Sequence, residues 1–255
     1  MLKELHRGSP ALAITGWLHL ALAAVLAILA TTDPVTILGV NRWLKPEKFA
    51  VSIAIFVWTL AWLLRYLPDR PRAVRAIGWG VSICMLAEMS LIAMQAARGT
   101  TSHFNHETAF DAVVFIVMGA MIGLNTVLMV WVAALFFKRV PGLPPAYLAG
   151  IRWGLAIFLL ASAEGGGLVA HGAHTVGAPD GGPGLPLVNW SSQYGDLRVA
   201  HFIGMHALQI LPLLGYAMRA RKAGVNIVVA VACGYAVTFG WLLYEALRGQ
   251  PFLAG

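Results

Sequence analysis

Seven long apolar segments occupy most of this 255-residue chain, and they limit the class of fold that it can adopt. A helix needs about 20 mostly apolar residues to cross the hydrocarbon core of a bilayer. With 59% apolar and only 11% charged residues, the composition differs from that of soluble domains. The predicted fold class is all-α, a polytopic membrane helical bundle that forms a single integral membrane domain over residues 1–255, with transmembrane helices at about 11–31, 48–67, 76–97, 111–137, 147–170, 199–219 and 225–247.

The basic residues predict the orientation of the helices in the membrane. If seven spans alternate in direction, 12 of the 18 Lys and Arg residues fall on one side and 6 on the other. Cytoplasmic connections carry the excess of basic residues, so we expect a cytoplasmic N-terminus and a periplasmic C-terminus. The larger group comprises Lys3, Arg7, Arg65, Arg70, Arg72, Arg75, Lys138, Arg139, Arg152, Arg219, Arg221 and Lys222.

The net charge of +7 is explained by this topology, and we therefore expect no nucleic-acid partner. The first apolar run follows Lys3 and Arg7, as in a signal peptide, but at about 20 residues it exceeds the usual apolar core of such a peptide. We interpret it as a retained helix.

Many Ala, Leu, Val, Gly and Arg residues with few Lys residues are typical of a GC-rich bacterial genome. This composition predicts a multi-pass protein of the bacterial inner (plasma) membrane, with the lipid bilayer as its main partner.

Two glutamates inside the apolar segments are candidate catalytic residues. An ionisable side chain in a membrane costs several kcal/mol unless it is paired or hydrated, so each is a functional candidate. Glu88 lies ten residues before Arg98, roughly 15 Å along a helix and near the midplane. Glu164 lies seven residues before His171, which places both on one helical face. We expect Arg98 to supply positive charge at the mouth of a periplasmic cavity, enclosed by the third, fifth and sixth helices and the third outer loop.

Six of the eight histidines form three close pairs, which are His103 with His106, His171 with His174, and His201 with His206. Neutral imidazole is a common metal ligand, and i,i+3 spacing on a helix presents two rings to one ion. The members of the i,i+5 pair point about 140° apart and are expected to have different partners. We predict His103, His171, His174 and His201 as metal ligands, and a cofactor held by His171, His201 and His206.

The cofactor that these histidines suggest is haem b or a transition metal such as Fe, Cu or Zn. Haem needs axial ligands at similar depth on facing helices, which favours His171 with His201, and Gly165 to Gly167 would leave room beside it. The leading interpretation is a metal- or haem-dependent membrane oxidoreductase acting on a lipid-soluble or small periplasmic substrate. The alternative is a proton-coupled small-molecule transporter or a membrane receptor that uses Glu88 and Glu164. A homo-oligomer is compatible with either interpretation.

Two other classes are disfavoured by the residues. A retinal protein requires a buried lysine for its Schiff base, whereas every lysine lies at a helix end or in a loop. A serine hydrolase is disfavoured because the chain contains no GxSxG nucleophile elbow.

Overall fold

The computed structural model describes residues 5–6, 8–138 and 140–253. Within these residues, seven helices are long and apolar enough to cross a membrane. They are α1 (Pro10–Thr32), α2 (Leu44–Leu64), α3 (Pro71–Ala97), α4 (Ala109–Phe137), α5 (Pro145–His171), α6 (Leu197–Ala217) and α7 (Gly224–Leu247). The predicted all-helical fold, with seven helices long and apolar enough to span a membrane, is confirmed, and it suggests a multi-pass membrane protein.

The orientation of the termini and the bacterial inner membrane stay predictions. Three of the basic residues on which the orientation depends, Lys3, Arg7 and Arg139, lie outside the described residues.

Proline sets the start of three helices earlier than the apolar pattern alone indicates. Pro10, Pro71 and Pro145 each occupy the first turn of α1, α3 and α5. A proline is favourable there because its fixed φ suits the helix and its missing N–H would have no helical partner. The predicted start of α3 at about residue 76 was therefore late by one and a half turns.

Two short strand pairs connect helices and were not predicted. β1 (Thr36–Ile37) and β2 (Val40–Asn41) are antiparallel and lie between α1 and α2. β3 (Thr175–Val176) and β4 (Gly195–Asp196) are antiparallel and lie between α5 and α6. The second pair fixes both ends of the long connection, which is the third outer loop of the sequence analysis, so this loop has an anchored base.

The chain divides into two compact units, Met1–Leu128 and Met129–Gly255, with the division inside α4. In the first unit, α1, α2 and α3 pack on one another. In the second unit, α5, α6 and α7 do so. Each unit has the same element order, because a strand pair joins its first two helices and a short turn joins the next two. The prediction of a single membrane domain stays a prediction.

Two glycines on α5 allow α5 and α6 to approach closely. A Cβ atom on Gly150 would overlap the carbonyl oxygen of Leu211. One on Gly154 would lie 2.8 Å from the carbonyl oxygen of Ala207 and 3.0 Å from Cδ of Pro212. Small residues at such crossings bring helix backbones together in membrane proteins. The fixed α5–α6 pair determines which side chains meet between these two helices.

Candidate functional site

A buried carboxylate and an imidazole meet between α5 and α6. Nδ1 of His201 lies 2.8 Å from Oε2 of Glu164, within hydrogen-bonding distance. The Glu164 side chain is 6% exposed and that of His201 is 34% exposed. Gly165 makes room for the ring, since a Cβ atom there would lie 2.8 Å from Cε1 of His201. We refer to Glu164 and His201 as the α5–α6 dyad.

The hydrogen bond determines which nitrogen of His201 is available. When Glu164 is ionised it can only accept, so Nδ1 carries the proton and Nε2 is the ring nitrogen with a free lone pair. The other carboxylate oxygen of Glu164, Oε1, is buried, and no described group hydrogen-bonds to it. An unsatisfied buried acceptor costs about 1–3 kcal/mol, more if charged.

The other predicted histidine ligands of the second unit bind elsewhere. Nε2 of His171 lies 3.1 Å from the carbonyl oxygen of Thr175. Nδ1 of His174 lies 2.6 Å from Oδ2 of Asp180. The backbone N–H of His174 donates to both carboxylate oxygens of Asp180, and that of Thr175 donates to Oδ1. Burial acts to raise the pKa of Asp180, but the hydrogen bonds and charge of His174 outweigh it and hold that pKa well below its usual range. Asp180 and His174 thus stabilise the base of the long connection.

A second carboxylate–histidine contact lies in the first unit. Oε1 of Glu88 is 4.0 Å from Nε2 of His103, and the Glu88 side chain is 3% exposed. Nδ1 of His103 lies 3.2 Å from Nζ of Lys45 and 3.0 Å from Oγ of Ser102. The ring of His103 therefore lies between Lys45 and Ser102 on one side and the buried carboxyl group of Glu88 on the other.

Arg98 is held in a hydrogen-bonded cluster at the end of α3. It forms a 2.5 Å ion pair with Oδ1 of Asp111, which also accepts from Nε2 of Gln95 at 2.9 Å. The hydroxyl of Thr108 donates to Oδ2 of Asp111 at 2.6 Å. The guanidinium carbon lies 4.6 Å from the ring centre of Phe110. These contacts close the turn between α3 and α4, and a catalytic role for Arg98 stays a prediction.

His206 and His106 both pack on aromatic rings. The ring centre of His206 lies 4.3 Å from that of Phe202, and that of His106 lies 5.5 Å from that of Phe115. His201 and His206 have different partners, as their i,i+5 spacing suggested.

No group of three or more His, Cys, Asp or Glu side chains among the described residues is arranged to hold a metal ion. The four predicted metal ligands, His103, His171, His174 and His201, each contact a different partner. The metal and haem assignments stay predictions.

Comparisons with known protein families, curated proteins and solved structures find no match for this chain.

Asp180 is a site residue that the sequence analysis missed, and Asp196 is a second acidic residue of the same connection. Asp196 is 1% exposed and its carboxylate accepts from Arg198 and from the backbone of Ser191, which fixes the start of α6. A signal was present for Asp180, because it is the acidic residue nearest to the His171 and His174 pair. The charge partner of Asp196, Arg198, lies only two residues later in the chain, whereas its contact with the backbone of Ser191 depends on how the connection folds back.

Proposed function

We propose that this protein is a proton-coupled membrane transporter of a small solute, with the α5–α6 dyad as a site of proton exchange. The observation that carries the proposal is the 2.8 Å contact between His201 and a Glu164 side chain that is 6% exposed. Ionisable residues inside membrane-spanning helices are costly and typically mark ion or proton pathways.

The placement of the dyad on two helices supports a coupled mechanism. Glu164 belongs to α5 and His201 to α6, so a change in the charge of the dyad changes the attraction between these helices. A solute that binds one arrangement of the two helices better would then change the proton affinity of the dyad. That reciprocity is the thermodynamic requirement for coupling.

The irregular part of α6 gives further support. Pro212 lies inside α6 and cannot donate to the carbonyl of Leu208 four residues earlier. The polar side chain of Gln209, one turn before Pro212, lies beside that of His206 on the same helix. Interrupted helices with exposed backbone acceptors near the membrane midplane line substrate and ion sites in many transporters.

The Glu164→Gln variant is expected to remove one exchangeable proton from the protein without unfolding it. Glutamine has the shape of glutamate and can hydrogen-bond to His201, but it cannot take up a proton. Infrared difference spectra of the protein in liposomes, recorded with and without a proton gradient, should contain a carboxyl band that this variant loses.

The matched control is Glu245→Gln, near the end of α7, where the carboxylate is 31% exposed and pairs loosely with Arg248 at 4.0 Å. This variant should keep the band. Liposomes loaded with a pH indicator should also show solute-driven proton movement that depends on Glu164. If the spectra of wild type and Glu164→Gln are identical, the dyad does not exchange protons and the proposal fails.

The second candidate function is the metal- or haem-dependent redox role, which one observation favours. A metal-binding histidine usually donates its other ring N–H to a carboxylate, as Nδ1 of His201 does to Glu164. Elemental analysis of the purified protein should then find near-stoichiometric Fe, Cu or Zn, lost in His201→Ala and in His171→Ala. Metal at background level in wild type, or retained in both variants, would exclude this ligand assignment.

A further inference from the structure

We propose that Lys45, His103 and Glu88 form a second proton-exchange site, in the first unit, where His103 carries protons between the loop after α3 and the buried carboxyl of Glu88. We call these three residues the Glu88 relay. It extends the proposed function to a second site and shares no residue with the α5–α6 dyad.

The direction of the relay follows from its donors. An ammonium group can only donate, so the 3.2 Å contact with Lys45 Nζ makes Nδ1 of His103 an acceptor. The hydroxyl of Ser102, 3.0 Å from the same nitrogen, also serves as a donor. A neutral imidazole with an accepting Nδ1 carries its proton on Nε2. That nitrogen is the one nearest to Glu88, so the ring directs an N–H toward the carboxylate.

The gap between the ring and the carboxylate is suited to a shared water. The 4.0 Å between Nε2 of His103 and Oε1 of Glu88 is too long for a direct hydrogen bond. One water molecule can bridge polar groups at such a separation. Alternatively, a small rotation of the ring would close the gap. Either route gives Glu88 a connection to His103, whose side chain is 23% exposed.

These groups and solvent account for every proton that moves in the step. Nε2–H of His103 transfers its proton, through the bridging water, to the ionised carboxylate of Glu88. Nδ1 of His103 takes up a proton from the ammonium group of Lys45, which becomes an amine and is reprotonated from solvent. The imidazole remains neutral and changes tautomer, and no bond other than those to hydrogen is made or broken.

The surroundings of the relay favour this role over a permanent ion pair. Rings of Phe49, Phe104 and Phe115 surround His103, with ring centres 5.9, 6.2 and 6.3 Å from its own. The second oxygen of Glu88, Oε2, is buried, and no described group hydrogen-bonds to it. A carboxylate with half of its acceptor capacity unsatisfied gains from protonation.

Charged and titratable groups interact with Glu88 from α2, from α3 and from the loop after α3. Lys45 interacts with it from α2, and Cys84 from the preceding turn of α3. His103 approaches from the loop after α3. His106 belongs to the same loop but packs on Phe115, which makes it a suitable control position.

The test is the rate of hydrogen–deuterium exchange at Glu88 in the full-length protein in liposomes. The infrared carboxyl band of Glu88 is identified as the one that Glu88→Gln removes, and its shift in heavy water is followed in time. His103→Gln should slow this exchange by about 100-fold, the scale on which a positioned histidine accelerates proton transfer. Glutamine keeps polar contacts to its neighbours but cannot pass a proton from one atom to another. Added imidazole should restore the rate.

The control His106→Gln should leave the exchange rate unchanged within about twofold, well below the effect of a positioned acid–base group. If His103→Gln fails to fold, the variants Lys45→Met and Lys45→Arg test the same proton path. The Met variant should be slow, and the Arg variant should also be slow, because its guanidinium keeps the positive charge but does not give up a proton. An unchanged rate in His103→Gln, or no band that depends on Glu88, overturns the proposal. The Glu164→Gln variant should keep the Glu88 exchange, so failure here is distinguishable from failure of the α5–α6 dyad.

Discussion

The Asp196→Ala variant is expected to lose about 3 kcal/mol in free energy of unfolding, the lower end of the cost of breaking a buried ion pair. Asp196 is 1% exposed and caps the first turn of α6. Its Oδ1 accepts from the backbone N–H and from Nε of Arg198, at 3.0 and 2.9 Å. Its Oδ2 accepts from Nη2 of Arg198 at 2.6 Å and from the backbone N–H of Ser191 at 2.8 Å.

The size of this effect follows from what remains after the substitution. Alanine leaves four donors without the carboxylate, and two of them belong to the charged guanidinium of Arg198. The Arg198 side chain is 30% exposed and can regain some water, so we expect the lower end of the range rather than the upper. The midpoint of thermal unfolding in detergent, compared with wild type, measures the loss.

Glu245→Gln is the matched control for this prediction. It also removes a carboxylate near an arginine, but that pair is 4.0 Å apart and its side chains are 31% and 58% exposed. Exposed ion pairs contribute about 0–1 kcal/mol, so its unfolding should change little. Equal unfolding midpoints for Asp196→Ala and wild type would show that this ion pair does not hold the start of α6.

Gly150→Ala is expected to destabilise the second unit by about 1–3 kcal/mol, the usual cost of overpacking. The added Cβ atom would overlap the carbonyl oxygen of Leu211 and lie 3.2 Å from Cα of Gly215. Both neighbours are backbone atoms, so no side-chain rotation can relieve the overlap. The helices must separate, which also moves Glu164 away from His201.

Gly166→Ala is the control for this second prediction, because it adds the same methyl group to the same helix. A Cβ atom on Gly166 would meet no atom within 4 Å. Alanine favours a helix over glycine by about 0.5–1 kcal/mol, so the control should be neutral or slightly stabilising. Unfolding midpoints in detergent compare the two variants. A Gly150→Ala protein as stable as Gly166→Ala would contradict the close approach of α5 and α6.

The histidine pairs show where reasoning from spacing is limited. His171 is the last residue of α5, and Gly172 after it has a φ of +77°. A left-handed residue ends the helix, so the i,i+3 geometry does not extend from His171 to His174. His103 and His106 lie in the loop after α3, where Phe104 has a φ of +55°. Helical spacing was therefore applied to segments that are not helical.

The sequence by itself determined the seven helices, because length and hydrophobicity are local properties that the bilayer requirement makes decisive. It also singled out Glu88 and Glu164, because a charge in an apolar segment is conspicuous without any knowledge of the fold. Only the tertiary structure decided the partners of these residues. Glu164 meets a histidine 37 residues later in the chain because Gly150 and Gly154 bring two helix backbones together. Partner choice depends on which faces of separate helices pack, and in chains that are apolar on nearly every face the sequence pattern does not encode that packing.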